Sequence, residues 1–399
     1  ISTANEGSNL KRFSFEGFRE STECLPSRLY LCSNSQIELN FELKGDFAMA
    51  GMAQLKSTMF LTILITLGVF VGFLGAVSLL FSAAAEMSIS PFFTLMGAFA
   101  LALIFMLIQF AISPHIVAAS MRLRYLEPGE FPWLENTVRE LAAKSQVPLP
   151  RLAIVPSQTP NAFVFGNSTS RMTLAVHEGL LRRLNEDEVR GVIGHELGHV
   201  RHKDSIVMTF LSAIPLVAYI IARMAMGLGY VDRRDERRGG ASYIFLAGVI
   251  ALVVYFVAQL LVMKLSRLRE HFSDAYSAYL TSSPRSLESA LTKIAYGLSL
   301  RPEAPHGARA LFICDPALAK REVGAILDKR QEYDLDRDGV LDERELQLAM
   351  EKEARSTWTS INAAFSTHPP TYKRILLLRQ IEEEMKAGTY TSADIYRQI

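Results

Sequence analysis

Four long apolar stretches constrain this chain more than any other feature. Ser57 to Ala85 and Pro91 to Ser113 carry no charge, Ile206 to Gly227 carries only Arg223, and Tyr243 to Leu265 carries only Lys264. Each reaches the ~20 residues that carry a helix across a ~30 Å hydrocarbon layer. Lipid offers the backbone no hydrogen-bond partners, so such stretches must be helical. An α+β membrane protein is therefore expected, mainly helical, with about four transmembrane helices and a small β-sheet in its polar part. The link after the first span holds Glu86 and no basic residue, whereas Arg122 and Arg124 follow the second. By the positive-inside rule, residues from His115 onward face the cytoplasm. Arg233, Arg234, Arg237 and Arg238 between the last two stretches run against that bias, and a hairpin dipping in without crossing is the alternative there. Gly68, Gly72 and Gly75 suggest close helix packing in the first span, the alternative being the general frequency of glycine in membrane helices.

Between the second and third stretches lies Gly194-His195-Glu196-Leu197-Gly198-His199, an HExxH pattern. Residues four apart share a helical face, so His195 and His199 can aim at one point. Neutral imidazoles so placed suit Zn2+, with Glu196 available as a base toward a water held there. Asn185-Glu186-Asp187-Glu188 reads as an N-cap with Glu at the third helical position, which starts the helix. A catalytic zinc site takes three protein ligands and keeps one position open. Glu270 is the candidate third, with Asp274 one turn on and able to hold a ligand histidine by its other ring nitrogen.

HELGH followed by SRxRExxxDA, with Asn161-Ala162-Phe163 before and Thr367-His368-Pro369-Pro370 after, resembles the HtpX family of membrane-embedded zinc metalloproteases. The resemblance covers about Met52 to Arg374, apart from one insertion. It implies a zincin-like domain with His195, His199 and Glu270 as ligands of one zinc ion. It further implies Glu196 as general base and Asp274 as the partner of a ligand histidine, His195 being the expected one. Asn161, Ala162 and Phe163 would form a sheet edge to which an extended substrate adds. His368 would border the cleft and donate to a developing oxyanion, a packing role in a turn being the alternative. His271, where the family usually has an aromatic residue, is read as a neighbour of Glu270.

The insertion is Asp334 to Glu345, which matches the twelve-residue EF-hand loop at every ligating position. Asp334, Asp336 and Asp338 offer carboxylates, Val340 its carbonyl, Asp342 a water-mediated contact, and Glu345 a bidentate carboxylate, with Gly339 at the turn. Helical sequence flanks it at Arg321 to Gln331 and Glu343 to Ala354. One Ca2+ is expected there, with a solvated acidic turn as the alternative.

These signals divide the chain into an N-terminal extension (1–51), a two-helix anchor (52–114) and a first catalytic half with HExxH (115–205). A transmembrane hairpin (206–265), a second catalytic half (266–320), the EF-hand-like insertion (321–354) and a C-terminal segment (355–399) follow. Residues 1–51 lack an apolar core of their own, and the native start is expected near Met49 or Met52. Phe131 to Ser145 has helical period, while Arg151–Val155, Asn161–Phe165 and Arg171–Val176 read as strands. His177, just after, is expected to pack rather than ligate. Cys24, Cys32 and Cys314 form no metal or disulfide framework, and free thiols are expected.

A net charge of +1 argues against general nucleic-acid binding. The expected partners are polypeptide substrates, membrane proteins above all, and the bilayer itself; no pattern assigns an oligomeric state. The expected activity is zinc-dependent endopeptidase cleavage at the cytoplasmic face of the plasma (inner) membrane, in quality control of misfolded proteins. Two rivals are weighed: a calcium-responsive membrane scaffold with a zinc-stabilised domain, and a processing peptidase for lipidated C-termini.

Overall fold

The computed structural model describes residues 52–84, 91–232, 241–299, 311–337, 341–353 and 366–388. The expected native start near Met49, Cys24 and Cys32, the arginine-rich loop, and Asp338 and Val340 lie outside them.

The apolar stretches form helices α1 (Met52–Ala84) and α2 (Pro91–Ser120) at the N-terminal side. After strand β1 (Arg124–Tyr125) come α3 (Pro132–Lys144), β2 (Arg151–Val155), β3 (Ala162–Phe165) and β4 (Thr173–His177). The short α4 (Glu178–Leu181) leads into α5 (Glu186–Arg201), then α6 (Asp204–Asp232) and α7 (Ala241–Thr281). Helices α8 (Pro284–Ser299), α9 (Pro316–Asp328), α10 (Arg330–Tyr333), α11 (Glu343–Glu353) and α12 (Thr371–Lys386) complete the described chain.

Four of these helices are long and apolar enough to cross a membrane: Ser57–Leu80, Phe99–Ser120, Asp204–Gly227 and Ser242–Thr281. They bury Phe70, Leu74, Leu211, Ile214, Ala258 and Leu265 against one another. Phe60, Leu101, Met224 and Val253 stand outward and exposed, as a lipid-facing surface requires. Two expectations need correction. The second span does not stop at Ser113 but runs through Pro114 to Ser120, because an apolar setting offers the freed carbonyl no competing water. A Cβ at Gly68, Gly72 or Gly75 would meet nothing within 4 Å, so these glycines mark no close approach. The boundary drawn at residue 265 falls inside a continuous helix. No proline or glycine interrupts it between Gly248 and Thr281, and α7 runs as one helix of 41 residues, roughly 60 Å long. Ser282 (φ 55°) and Pro284 finally end it.

A second core, outside the apolar helices, gathers Leu134, Leu174, Val192, Leu197, Leu287 and Ile375, all with 1% exposure or less. Each such side chain contributes about 1.5–3 kcal/mol by leaving water. Leu265 of α7 belongs to the first core and Phe272 to the second, so this one helix joins the two. The sheet has the order β1-β2-β4-β3, with β2 and β4 parallel and the outer pairs antiparallel. The last strand begins at Thr173, after a 3-10 turn at Thr169–Arg171, rather than at Arg171. Gly166 makes that return possible: its φ is 155°, and a Cβ would lie 2.7 Å from the Arg171 carbonyl. Among the described residues β3 is an edge strand.

Candidate metal centre and cleft

Helix α5 starts with a full capping box. The Asn185 side chain accepts from Glu188 N at 2.9 Å, and Glu188 Oε2 accepts from Asn185 N at 2.9 Å. Its glycines then set how near α7 can come. A Cβ on Gly194 would stand 2.9 Å from Ser277 Oγ, and one on Gly198 would stand 3.2 Å from Ser273 Cα. Small residues on both helices bring the backbones close enough for side chains on facing turns to share one ion.

They do converge. His195 Nε2 and His199 Nε2 lie 3.1 Å apart, with Glu270 Oε2 3.5 Å from the former and Glu270 Oε1 3.4 Å from the latter. Bonds of ~2.0–2.1 Å to a tetrahedral Zn2+ separate neighbouring donors by ~3.3 Å, so the triangle fits that ion. Glu270 Oε2 is buried and accepts no hydrogen bond among the described residues, with Arg374 Nη1 3.4 Å away, which suits a carboxylate oxygen kept for a metal. His271 is not part of the donor cluster.

Each imidazole is held from behind by a carboxylate. Asp274 Oδ1 lies 2.9 Å from His195 Nδ1, and Asp204 Oδ2 lies 2.7 Å from His199 Nδ1, leaving both Nε2 atoms for the ion. Arg374, fully buried, donates to both Asp274 oxygens at 2.8 and 2.7 Å and to the Ile313 carbonyl. Arg269 pairs with Asp204 at 2.8 Å. Sequence reasoning named Asp274 but missed Asp204 and the work of Arg374. A signal for Asp204 exists: an acidic residue at the mouth of an apolar span is expensive and calls for a partner. Lys203, in the left-handed region at φ 58°, turns the chain so that Asp204 reaches back to His199.

Burial opposes charge on His195, but hydrogen bonds to Asp274 and Glu270 outweigh it and hold the ring's pKa up at about 9. Burial takes His199 the other way, well below the usual imidazole value. Glu196 is 3% exposed, and burial raises its carboxyl to about 7. Its Oε2 accepts the Val164 amide at 2.9 Å.

That hydrogen bond also reveals which backbone groups of β3 are free for a substrate. His177 N donates to Asn161 O, so the odd-numbered residues of β3 pair with β4 and the even ones face the open edge. Ala162 and Val164 therefore present their main chain outward. Asn161 and Phe163 do not: the Asn161 side chain accepts from Ile313 N at 2.9 Å and donates to Leu311 O at 3.1 Å, tying β3 to the opposite wall. The Phe163 ring packs near Phe165 and His177. His177 itself is buried between Phe163 and Phe312, with Nδ1 3.0 Å from the Thr159 carbonyl. His368 is buried beside the centre, its Nδ1 3.3 Å from Glu270 Oε2. A cavity of about 500 Å³ runs past Glu196, both histidines and His368. Cys314 is a buried free thiol.

Residues 128–382 match peptidase family M48. The chain belongs to that family. It is 35% identical over 288 residues to a protease HtpX homolog of Aeropyrum pernix, covering 70% of this chain and 84% of that one. It is 34% identical over 298 residues to a protease HtpX homolog of Thermococcus sibiricus, covering 73% and 88%. The crystal structure of S. mikatae Ste24p shares 17% identity over 64% of this chain and 63% of that one, at a TM-score of 0.37. This M48 protein is thus an integral membrane metallopeptidase of the HtpX type, and its His195–His199–Glu270 cluster suits the zinc that such enzymes use.

Proposed function

We propose that this M48 chain is a zinc-dependent endopeptidase that cleaves misfolded polypeptides, membrane proteins among them, at the cytoplasmic face of the plasma (inner) membrane. One observation carries the reading: a triangle of donors at tetrahedral spacing beside a buried glutamate, opening on a cavity along a strand edge left unpaired among the described residues. His195, His199 and Glu270 would hold the zinc, which when bound supplies Lewis acidity toward the scissile carbonyl and the attacking water. Asp274 and Asp204 fix the two rings. Glu196 takes the proton of the attacking water and returns it to the leaving amine. The Val164 amide orients that carboxylate. An extended substrate pairs with the main chain of Ala162 and with the Val164 carbonyl, the Val164 amide being held by Glu196, whereas Asn161 and Phe163 shape the wall. His368 lines the same cavity and is placed to donate to the developing oxyanion. Arg122 and Arg124, after the second span, orient the catalytic part toward the cytoplasm.

The scaffold alternative needs a closed, four-ligand zinc site. Three donors converge here, among the described residues, and the fourth side is open. A processing peptidase for lipidated C-termini would need a large chamber within many spans, against four spans and about 500 Å³ among the described residues. Replacing Glu196 by Gln is expected to leave one zinc per chain while abolishing cleavage of casein and of a single-span membrane substrate. Wild-type activity in that variant would remove the proposed mechanism.

A calcium role for the insertion has its own support. Donor atoms of Asp334, Asp336 and Glu345, the first, third and twelfth loop positions, lie within 4.8 Å of one another. Asp342 is exposed, as a water-mediated position would be, and its side chain accepts from Glu345 N at 2.8 Å. Micromolar to millimolar Ca2+ should raise the melting temperature. An activity that rises in parallel assigns a regulatory role, and an unchanged melting curve excludes the site.

A further inference from the structure

The cavity at the metal centre does not end at the catalytic core. It continues between α2, α6 and α7, where Gln109, Ser113, Thr209, Ser212, Gln259 and Ser266 line it within the apolar spans. These positions follow helical spacing on each helix: 109 and 113, 209 and 212, 259 and 266. On α2, Leu101 and Ile104 are turned outward and exposed while Gln109 and Ser113 line the interior. Polar side chains in membrane spans are costly unless they serve a buried or hydrated surface. From Asp204 to Ser212 the furrow spans roughly 12 Å along α6, and from Glu270 to Gln259 roughly 16 Å along α7, at 1.5 Å per helical residue. Its length is about half the ~30 Å thickness of a bilayer's hydrocarbon.

The lining offers unpaired acceptors. Gln109 Oε1 is buried with no hydrogen-bond partner among the described residues. Thr209 Oγ1 donates to the Ser205 carbonyl at 2.6 Å and Ser212 Oγ to the Thr209 carbonyl at 3.2 Å. Both hydroxyl oxygens therefore keep lone pairs for an incoming donor. An acyl chain has no N–H to offer them, whereas an unwound peptide has one at nearly every residue.

We propose that this furrow receives the juxtamembrane end of a substrate's own transmembrane segment, unwound and fed from the bilayer toward Glu196. At ~3.3 Å per extended residue the furrow holds about four or five residues. The proposal rests on the peptidase reading above and adds the route by which a membrane-embedded substrate reaches the metal centre. Its test uses the full chain in liposomes with two substrates, a single-span membrane protein and unfolded casein. Replacing Gln109 and Gln259 together by Leu should lower the ratio of kcat/KM for the membrane substrate to that for casein at least tenfold. In a Glu196→Gln background, a photocrosslinker at position 212 should capture the substrate within about five residues of its cleavage site. An unchanged ratio, or crosslinks to lipid alone, overturns the furrow while the peptidase stands. Failure of the wild-type protein to cleave either substrate would instead overturn the peptidase reading.

Discussion

Gly198→Ala is a test of how the metal centre is assembled, because two opposing effects separate cleanly. Within a helix, alanine in place of glycine is favourable by about 0.8–1 kcal/mol. The added Cβ, however, would stand 3.2 Å from Ser273 Cα, 3.2 Å from Ser273 Oγ and 3.3 Å from Ser273 Cβ. These contacts are a few tenths of an ångström too tight, so α7 must yield by that amount. Ser273 is one turn from Glu270, and its Oγ is 3.0 Å from His199 Nδ1, so the displacement falls on two of the three donors. Zinc–ligand distances tolerate about ±0.2 Å, so the shift uses up the whole margin. A disturbance of this kind typically costs 10–100-fold in metal affinity. Competition with a chromophoric chelator should show that loss, while the metal-free protein melts no lower than wild type. Ser273→Gly removes two of the three contacts, and the double variant should regain part of the affinity. Wild-type zinc affinity in Gly198→Ala would refute the idea that the glycine seam sets the donor triangle.

The remaining predictions concern charge. Arg374→Met leaves the Asp274 carboxylate buried without its cation, and losing one member of a buried pair costs about 3–5 kcal/mol. The melting temperature should fall well below wild type, with partial recovery on adding Asp274→Asn; an unaltered transition would contradict the pairing. Zinc affinity should also depend on pH. The metal-free His195 ring holds its proton up to about 9 because Asp274 and Glu270 outweigh burial. Zinc must displace that proton, so below about 9 apparent affinity should fall up to tenfold per pH unit. A flat profile between pH 6 and 8 in the chelator competition would count against the His195–Asp274 arrangement.

Local physics made much of this legible in advance. The capping box at Asn185 and the facing of His195 and His199 depend only on residues a few positions apart, and such spacings survive into any fold that keeps the helix. The apolar spans are legible for a related reason: lipid imposes helix on any long apolar run, whatever its neighbours. Their ends were less so: the second helix runs past the expected end at Ser113 to Ser120.

Tertiary structure decided what depends on a partner from elsewhere in the chain. Gly68, Gly72 and Gly75 look like a packing stripe and face open space, while Gly191, Gly194 and Gly198 meet Leu287, Ser277 and Ser273. Nothing in the residue type distinguishes the two sets; only the helix opposite does. The parity of β3, which leaves the main chain of Ala162 and Val164 rather than that of Asn161 and Phe163 unpaired by β4, comes from its register with β4. Arg374 finds Asp274 across 100 residues of chain. Spacing along a sequence carries no signal for a contact of that separation, because it exists only once the core between the two residues has closed.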